Sequence, residues 1–154
     1  MKFNDTDYKA VKNKFLSLLA RREYSKAELK LKANTLKYPV DIVNAVINDF
    51  ESKDLQSDIR YCEMVFRAKI NKRYGFHYIV SFLKQKGVSA KDIEAVSSNL
   101  PIDWDDLANE ALKKYCDRND LLTSKDIAKA INYLRRKGFA ADSAMISAKS
   151  IIEE

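Results

Sequence analysis

Three short segments of this chain repeat one another at a fixed spacing, and this limits the fold more than any other feature of the sequence. They are Leu36-Lys37-Tyr38-Pro39-Val40, Lys86-Gly87-Val88-Ser89-Ala90 and Lys137-Gly138-Phe139-Ala140-Ala141. Tyr38, Val88 and Phe139 stand 50 and 51 residues apart. The same steps relate Ala33, Leu83 and Leu134, and also Phe50, Leu100 and Ile151. A period of about 50 residues has room for three helices per unit. Three such units account for all 154 residues.

Local signals divide each unit into helices. Tyr8, Val11, Phe15, Leu18 and Leu19 share one face of a first helix at three- and four-residue steps. Ser25 with Glu28 forms an S-x-x-E capping box, and Tyr24 and Leu29 stand where a hydrophobic staple places its pair. Pro39 opens a third helix, whose stripe is Val43, Val46, Ile47 and Phe50. In the second unit Ser57 caps a helix to about Lys72, and Tyr74-Gly75 stands where Tyr24-Ser25 stood. Gly87 ends the next helix, and Ser89 with Asp92 caps the one bearing Ile93 and Val96. In the third, Asp103, Asp105 and Asp106 crowd a helix N-terminus, where the dipole favours negative charge. Thr123 with Asp126, and Leu122 with Ile127, form the next box and staple, and Gly138 closes that helix.

The expected fold is all-α: three tandem three-helix repeats over 1–56, 57–101 and 102–154, forming an elongated, curved helical array. Composition agrees. Only 3 Gly and 2 Pro are present, too few for the tight turns of a strand-rich fold. Hydrophobic residues make up 46%, enough for a packed core. Cys62 and Cys116 are far apart and read as free core thiols. No signal peptide and no apolar run of about 18 residues is present, so a cytoplasmic location is expected.

Groups that would support catalysis do not converge. There is no Gly-rich phosphate loop and no metal-ligand spacing, so neither cofactor nor metal is expected. His77 lies in the first turn of a helix as a solvated or packed side chain, Trp104 reads as a core anchor, and the Asp103 cluster is explained by capping. Charge is more informative. The net charge is +6, and its distribution is uneven. Residues 1–56 carry 11 basic and 8 acidic groups, 57–101 carry 8 and 4, and 102–154 carry 9 and 10. Arg21 and Arg22 end the first helix; Arg60 and Arg67 share a face that Lys69, Lys72 and Arg73 extend, with Tyr74 and Tyr78 beside it. Lys125, Lys129 and Arg136 share another face. Cations grouped with tyrosines suit phosphates, bases or an acidic protein surface, although Lys/Arg-rich helix faces are also commonly just solvated.

These residues resemble the RecX family of regulators. Leu18-Leu19-Ala20-Arg21-Arg22-Glu23-Tyr24-Ser25-Lys26-Ala27-Glu28-Leu29 is similar to its L-x-x-R-[ED]-[HY]-S-x-x-E-L signature. Asp58-Ile59-Arg60-Tyr61 with Val65-Phe66-Arg67-Ala68-Lys69 resembles the D-x-R-[FY] and F-V-R-x-[RK] segment. Tyr74-Gly75, Leu83-Lys84-Gln85-Lys86-Gly87-Val88, Asp103-Trp104 and Tyr133-Leu134-Arg135-Arg136-Lys137-Gly138-Phe139 resemble the later elements, in order. Arg73 and Phe76 replace the usual Gly and Pro around Tyr74-Gly75, and Lys37 stands where the first repeat would carry Gly.

The resemblance implies a non-enzymatic protein that lodges in the groove of the RecA filament on single-stranded DNA. There it restrains ATP hydrolysis, recombination and SOS signalling. Separately from the resemblance, a monomer is expected, with weak direct DNA contact as a further expectation. Carried over by motif or by patch, the contact candidates are Arg21, Arg22, Arg60, Arg67, Lys69, Lys72, Arg73, Tyr74, Arg135 and Arg136. The competing reading is a direct DNA-binding protein with helix-turn-helix-like repeats.

Overall fold

A computed structural model describes residues 4–119 and 124–152. Among these residues the chain is all-α, with nine α-helices and no strand. In order they are α1 (Asp5–Arg21), α2 (Lys26–Thr35), α3 (Val40–Ser52), α4 (Asp58–Asn71), α5 (Phe76–Gln85), α6 (Ala90–Ser97), α7 (Trp104–Asn119), α8 (Ile127–Arg136) and α9 (Ala141–Ile152). One 3-10 turn, Ser124–Asp126, leads into α8. The expected partners Leu122 and Thr123 lie outside the described residues.

Helix starts follow the local chemistry. Ser25 accepts from the Glu28 amide and Glu28 returns a bond to the Ser25 amide, so both halves of the box are made. Ser57 accepts from the Arg60 amide at 3.2 Å, and Ser89 from the Asp92 amide at 3.1 Å. Asp103 accepts from the Asp105 and Asp106 amides, which accounts for the acidic cluster at the start of α7. Each bond supplies a partner to an amide that the first helical turn leaves open.

The chain divides into two compact units, Met1–Met64 with Leu83–Ser98, and Val65–Phe82 with Asn99–Glu154. The division runs through α4 and α5. In the first unit α3 packs on α1 and α2. Their apolar stripes close over Val11, Phe15, Leu29, Val46, Ile47 and Phe50, with Phe15 and Phe50 edge to face at 6.5 Å. In the second, α7, α8 and α9 pack together over Ala108, Leu112, Ala130, Leu134 and Ala148. Alanines at three of these five positions let the helices approach closely. Cys62 and Cys116 are both buried and free.

The fifty-residue period reappears as a joint made twice. In the first unit the Ser25 hydroxyl donates to the Lys86 carbonyl at 2.8 Å. In the second, the Gly75 amide donates to the Lys137 carbonyl at 2.6 Å and the His77 amide to the Gly138 carbonyl at 3.0 Å. Ser25 and Gly75 are equivalent in the repeat, as are Lys86-Gly87 and Lys137-Gly138. The approach at the second joint is close enough that a Cβ on Gly75 would strike the Gly138 carbonyl, and one on Gly138 would strike Tyr78. These Lys-Gly steps therefore do more than end a helix: Gly87 leaves room for the Ala27 side chain, and Gly138 for Tyr78.

All three equivalent turns are left-handed, with φ 60° at Lys37, 82° at Gly87 and 97° at Gly138. Lys37 adopts the conformation without glycine, as does Arg73 at φ 63°. The two departures from the glycine pattern thus retain its backbone shape, at a cost of about 1–2 kcal/mol each in a bare chain.

Candidate partner-binding face

In the second unit, four pieces of chain bring cations and tyrosines together. The end of α4 and the turn after it carry Lys69, Lys72, Arg73 and Tyr74, and α5 adds Tyr78 and Phe82. Helix α7 adds Tyr115 and Arg118; the end of α8 and its C-cap add Tyr133 and Lys137. Tyr74 stacks on Tyr78 with ring centroids 4.1 Å apart and planes 17° from parallel. On Tyr74 lies the Lys137 ammonium, 3.7 Å from the ring centre, and it also donates to the Lys72 carbonyl at 3.0 Å. Lys69 stands 4.5 Å from the centre of the Phe82 ring and 5.4 Å from that of Tyr74. Tyr115 and Tyr133 stack at 3.8 Å, 7° from parallel.

The electrostatics are those of a cation-rich surface. Burial, then Arg118 and Arg73, holds the Lys137 ammonium below its ordinary range. Burial pushes the Tyr133 phenol up; Tyr115 and Tyr74 add to the rise while Arg118 and Arg136 oppose it. Arg73 is paired with Glu110 at 3.1 Å. Such a face can attract anions and offer ring edges and cation-backed rings to a partner. Among the described residues no cluster of three His, Cys, Asp or Glu side chains could hold a metal ion.

The sequence candidates fall into two groups. Arg22 and Arg60 belong to the first unit and are occupied. The Arg22 guanidinium forks onto Glu28 at 3.2 and 3.1 Å, bonds the Glu23 carbonyl at 2.8 Å, and lies 3.6 Å from the Tyr24 ring centre. Arg60 bonds Glu23 at 2.9 Å and both the carboxylate and the carbonyl of Asp54 at 2.8 Å. These two arginines tie the α1–α2 corner to the start of α4. By contrast, Arg21, Arg67, Lys72, Arg135 and Arg136 are exposed and make no ion pair among the described residues. Lys69, Arg73 and Tyr74 join the cation–tyrosine cluster.

Sequence reasoning missed Lys137, Arg118, Tyr115 and Tyr133. Lys137 was legible only as the residue before a helix-ending glycine. Tyr115 and Tyr133 lie on different helices, and nothing local to either announces the stack. His77 is exposed, and its backbone, not its ring, does the structural work described above. Trp104 is half-buried and meets Phe76 edge-on at 5.6 Å, as an anchor would.

Comparison with known proteins places the fold and the family. The family model described as "RecX, second three-helix domain" matches residues 57–96. A Regulatory protein RecX from Haemophilus influenzae (strain PittEE) is 33% identical over 132 residues, covering 84% of this chain and 87% of the relative. The chain belongs to the RecX family. Another RecX, from Legionella pneumophila (strain Corby), is 32% identical over 127 residues, covering 82% of this chain and 85% of the relative. Among solved structures, RecX from Lactobacillus salivarius superposes with TM-score 0.82 at 21% identity, over 98% of this chain and all of that one. A second RecX crystal structure gives TM-score 0.80 at 19% identity, over 100% of this chain and 81% of that one. The all-α fold of the RecX family is therefore the fold of this chain. The relatives are named as regulatory proteins, and among the described residues no helix is long and apolar enough to cross a membrane.

Proposed function

We propose that this RecX-family chain binds the RecA filament on single-stranded DNA and inhibits its ATPase and recombinase activity, without catalysis of its own. In this reading it limits recombination, DNA repair and the SOS response in the cytoplasm, acting as a monomer built of three repeats over 1–56, 57–101 and 102–154. The observation that carries the proposal is the cation–tyrosine face of the second unit, where Lys69, Lys137 and the stacked Tyr74–Tyr78 pair stand together. A filament of protein on a polyanion presents both acidic and phosphate surfaces, and such a face suits either. Arg67, Arg135 and Arg136 are exposed and supply further contacts, while Arg22 and Arg60 are assigned to holding the fold.

The test is ATP hydrolysis by preformed RecA filaments during titration with this protein. Inhibition at or below stoichiometric amounts is expected. Arg67→Ala/Arg135→Ala/Arg136→Ala should need about tenfold more protein for the same inhibition, with an unchanged melting temperature. No inhibition by the folded protein would overturn the proposal. The stacked tyrosines favour one second reading, direct binding of single-stranded DNA. Salt-sensitive DNA affinity without RecA, combined with no effect on the filament ATPase, would select it.

A further inference from the structure

The first unit carries a second surface of different chemistry. On α2, Leu29 and Ala33 face the core, whereas Leu31 points away from it and is 68% exposed. Leu36, just past the helix end, is 47% exposed. A single exposed leucine is ordinary. These two converge in one groove of about 360 Å³, lined by Lys14, Leu31, Lys32, Thr35 and Leu36. The core does not need either leucine, and water disfavours both.

Charge around the groove has one sign. Lys14 and Lys32 line it, and among the described residues neither makes an ion pair; nor do Lys9, Lys12, Lys30 and Lys37 elsewhere on α1, α2 and the turn after α2. The acids of the same stretch are placed elsewhere: Asp5 and Asp7 lie in the first turn of α1, Glu28 is held by Arg22, and Glu23 by Arg60. The groove thus combines an apolar floor with unpaired ammonium groups on its rim, and no carboxylate lines it.

We propose that this groove docks an acidic protein segment carrying a bulky apolar side chain, Leu or Phe. The apolar group lies on Leu31 and Leu36, and flanking carboxylates meet Lys14 and Lys32. Nucleic acid fits the rim but not the floor: no aromatic or amide side chain lines the groove to stack or pair with a base. The proposal stands apart from the RecA reading, which rests on the second unit.

The probe is a short fluorescein-labelled peptide of Asp and Glu around a central Leu-Phe pair, with a Ser-Ser version as control. The full chain should bind the Leu-Phe peptide about tenfold more tightly than the control. Leu31→Ser/Leu36→Ser, both exposed and therefore compatible with folding, should abolish that preference. Lys14→Gln/Lys32→Gln should weaken both peptides and flatten the salt dependence. Equal binding of the two peptides, or an unchanged preference in the leucine variant, would overturn the proposal. So would tighter binding of oligothymidylate that is lost in the lysine variant, since the occupant would then be nucleic acid. None of these results changes the expected inhibition of filament ATPase.

Discussion

Lys37 takes a backbone conformation that its two counterparts in the repeat reach with glycine. The left-handed region is open to glycine and strained for a residue with a Cβ. Lys37→Gly should therefore stabilise the protein by about 0.5–1 kcal/mol, after allowance for the greater freedom of an unfolded glycine. Urea denaturation would measure it, and a loss of stability would mean that the lysine side chain contributes more than its strain costs. The departure of Lys37 from glycine was visible in the sequence; its conformation was not, because a lysine in that place reads equally well as one more helical residue. Arg22 and Arg60 teach the converse. Sequence counts cations but not their partners: Glu28 is six residues from Arg22, and Glu23 is 37 from Arg60. With Arg73 on Glu110, again 37 residues away, three of the ten candidate contacts are paired with carboxylates within the fold.

At the level of the helix, caps were the most legible signals, since a cap is a contact over three residues and needs no tertiary knowledge. Ser25, Ser57, Ser89 and Asp103 all act where their spacing indicates. Ser25 also makes a bond that spacing does not reveal, to a carbonyl 61 residues on. Removing its hydroxyl takes one hydrogen bond from the Glu28 amide and one from the part-buried Lys86 carbonyl. Ser25→Ala should cost about 2–3 kcal/mol, more than the ~1 kcal/mol of an ordinary cap. Ser89→Ala, where only the cap is lost, is the internal reference. Equal losses in thermal or chemical denaturation would show that the Lys86 bond adds nothing. The cation–tyrosine face was half legible for the same reason: Lys69, Arg73 and Tyr74 are near in sequence, while Tyr115, Tyr133 and Lys137 come from helices that only packing brings there.

For the molecule as a whole, burial determines how the fold responds to alkali. Burial pushes the Cys62 thiol up to about 12 and raises Cys116, Tyr133 and, far above its usual range, Tyr61, whose phenol also lies beside Glu28. Unfolded, these groups release protons near about 8.5 for cysteine and about 10 for tyrosine. The folded chain keeps those protons longer, so deprotonation favours the unfolded state. Stability from these groups is complete below about pH 8.5 and falls as pH rises toward 12. Lys137, lowered by burial, works in the opposite sense, while Lys26, raised by its bond to Glu51, adds to the four. Melting temperature should hold steady between pH 7 and 8 and then drop by pH 10.5; a flat profile would contradict the buried assignments.

The paired joints carry a consequence for anyone exchanging parts between relatives. Each joint is a plug and a socket: Tyr24-Ser25 or Tyr74-Gly75 inserts, and Lys86-Gly87 or Lys137-Gly138 receives. The middle stretch contains one of each. A transplanted middle stretch will be accepted only if its socket takes a hydroxyl donor and its plug is slim enough for a bare carbonyl. The two joints thus set a local condition on compatibility between donor and host, beside the Arg60–Glu23 and Arg73–Glu110 pairs that the same stretch makes.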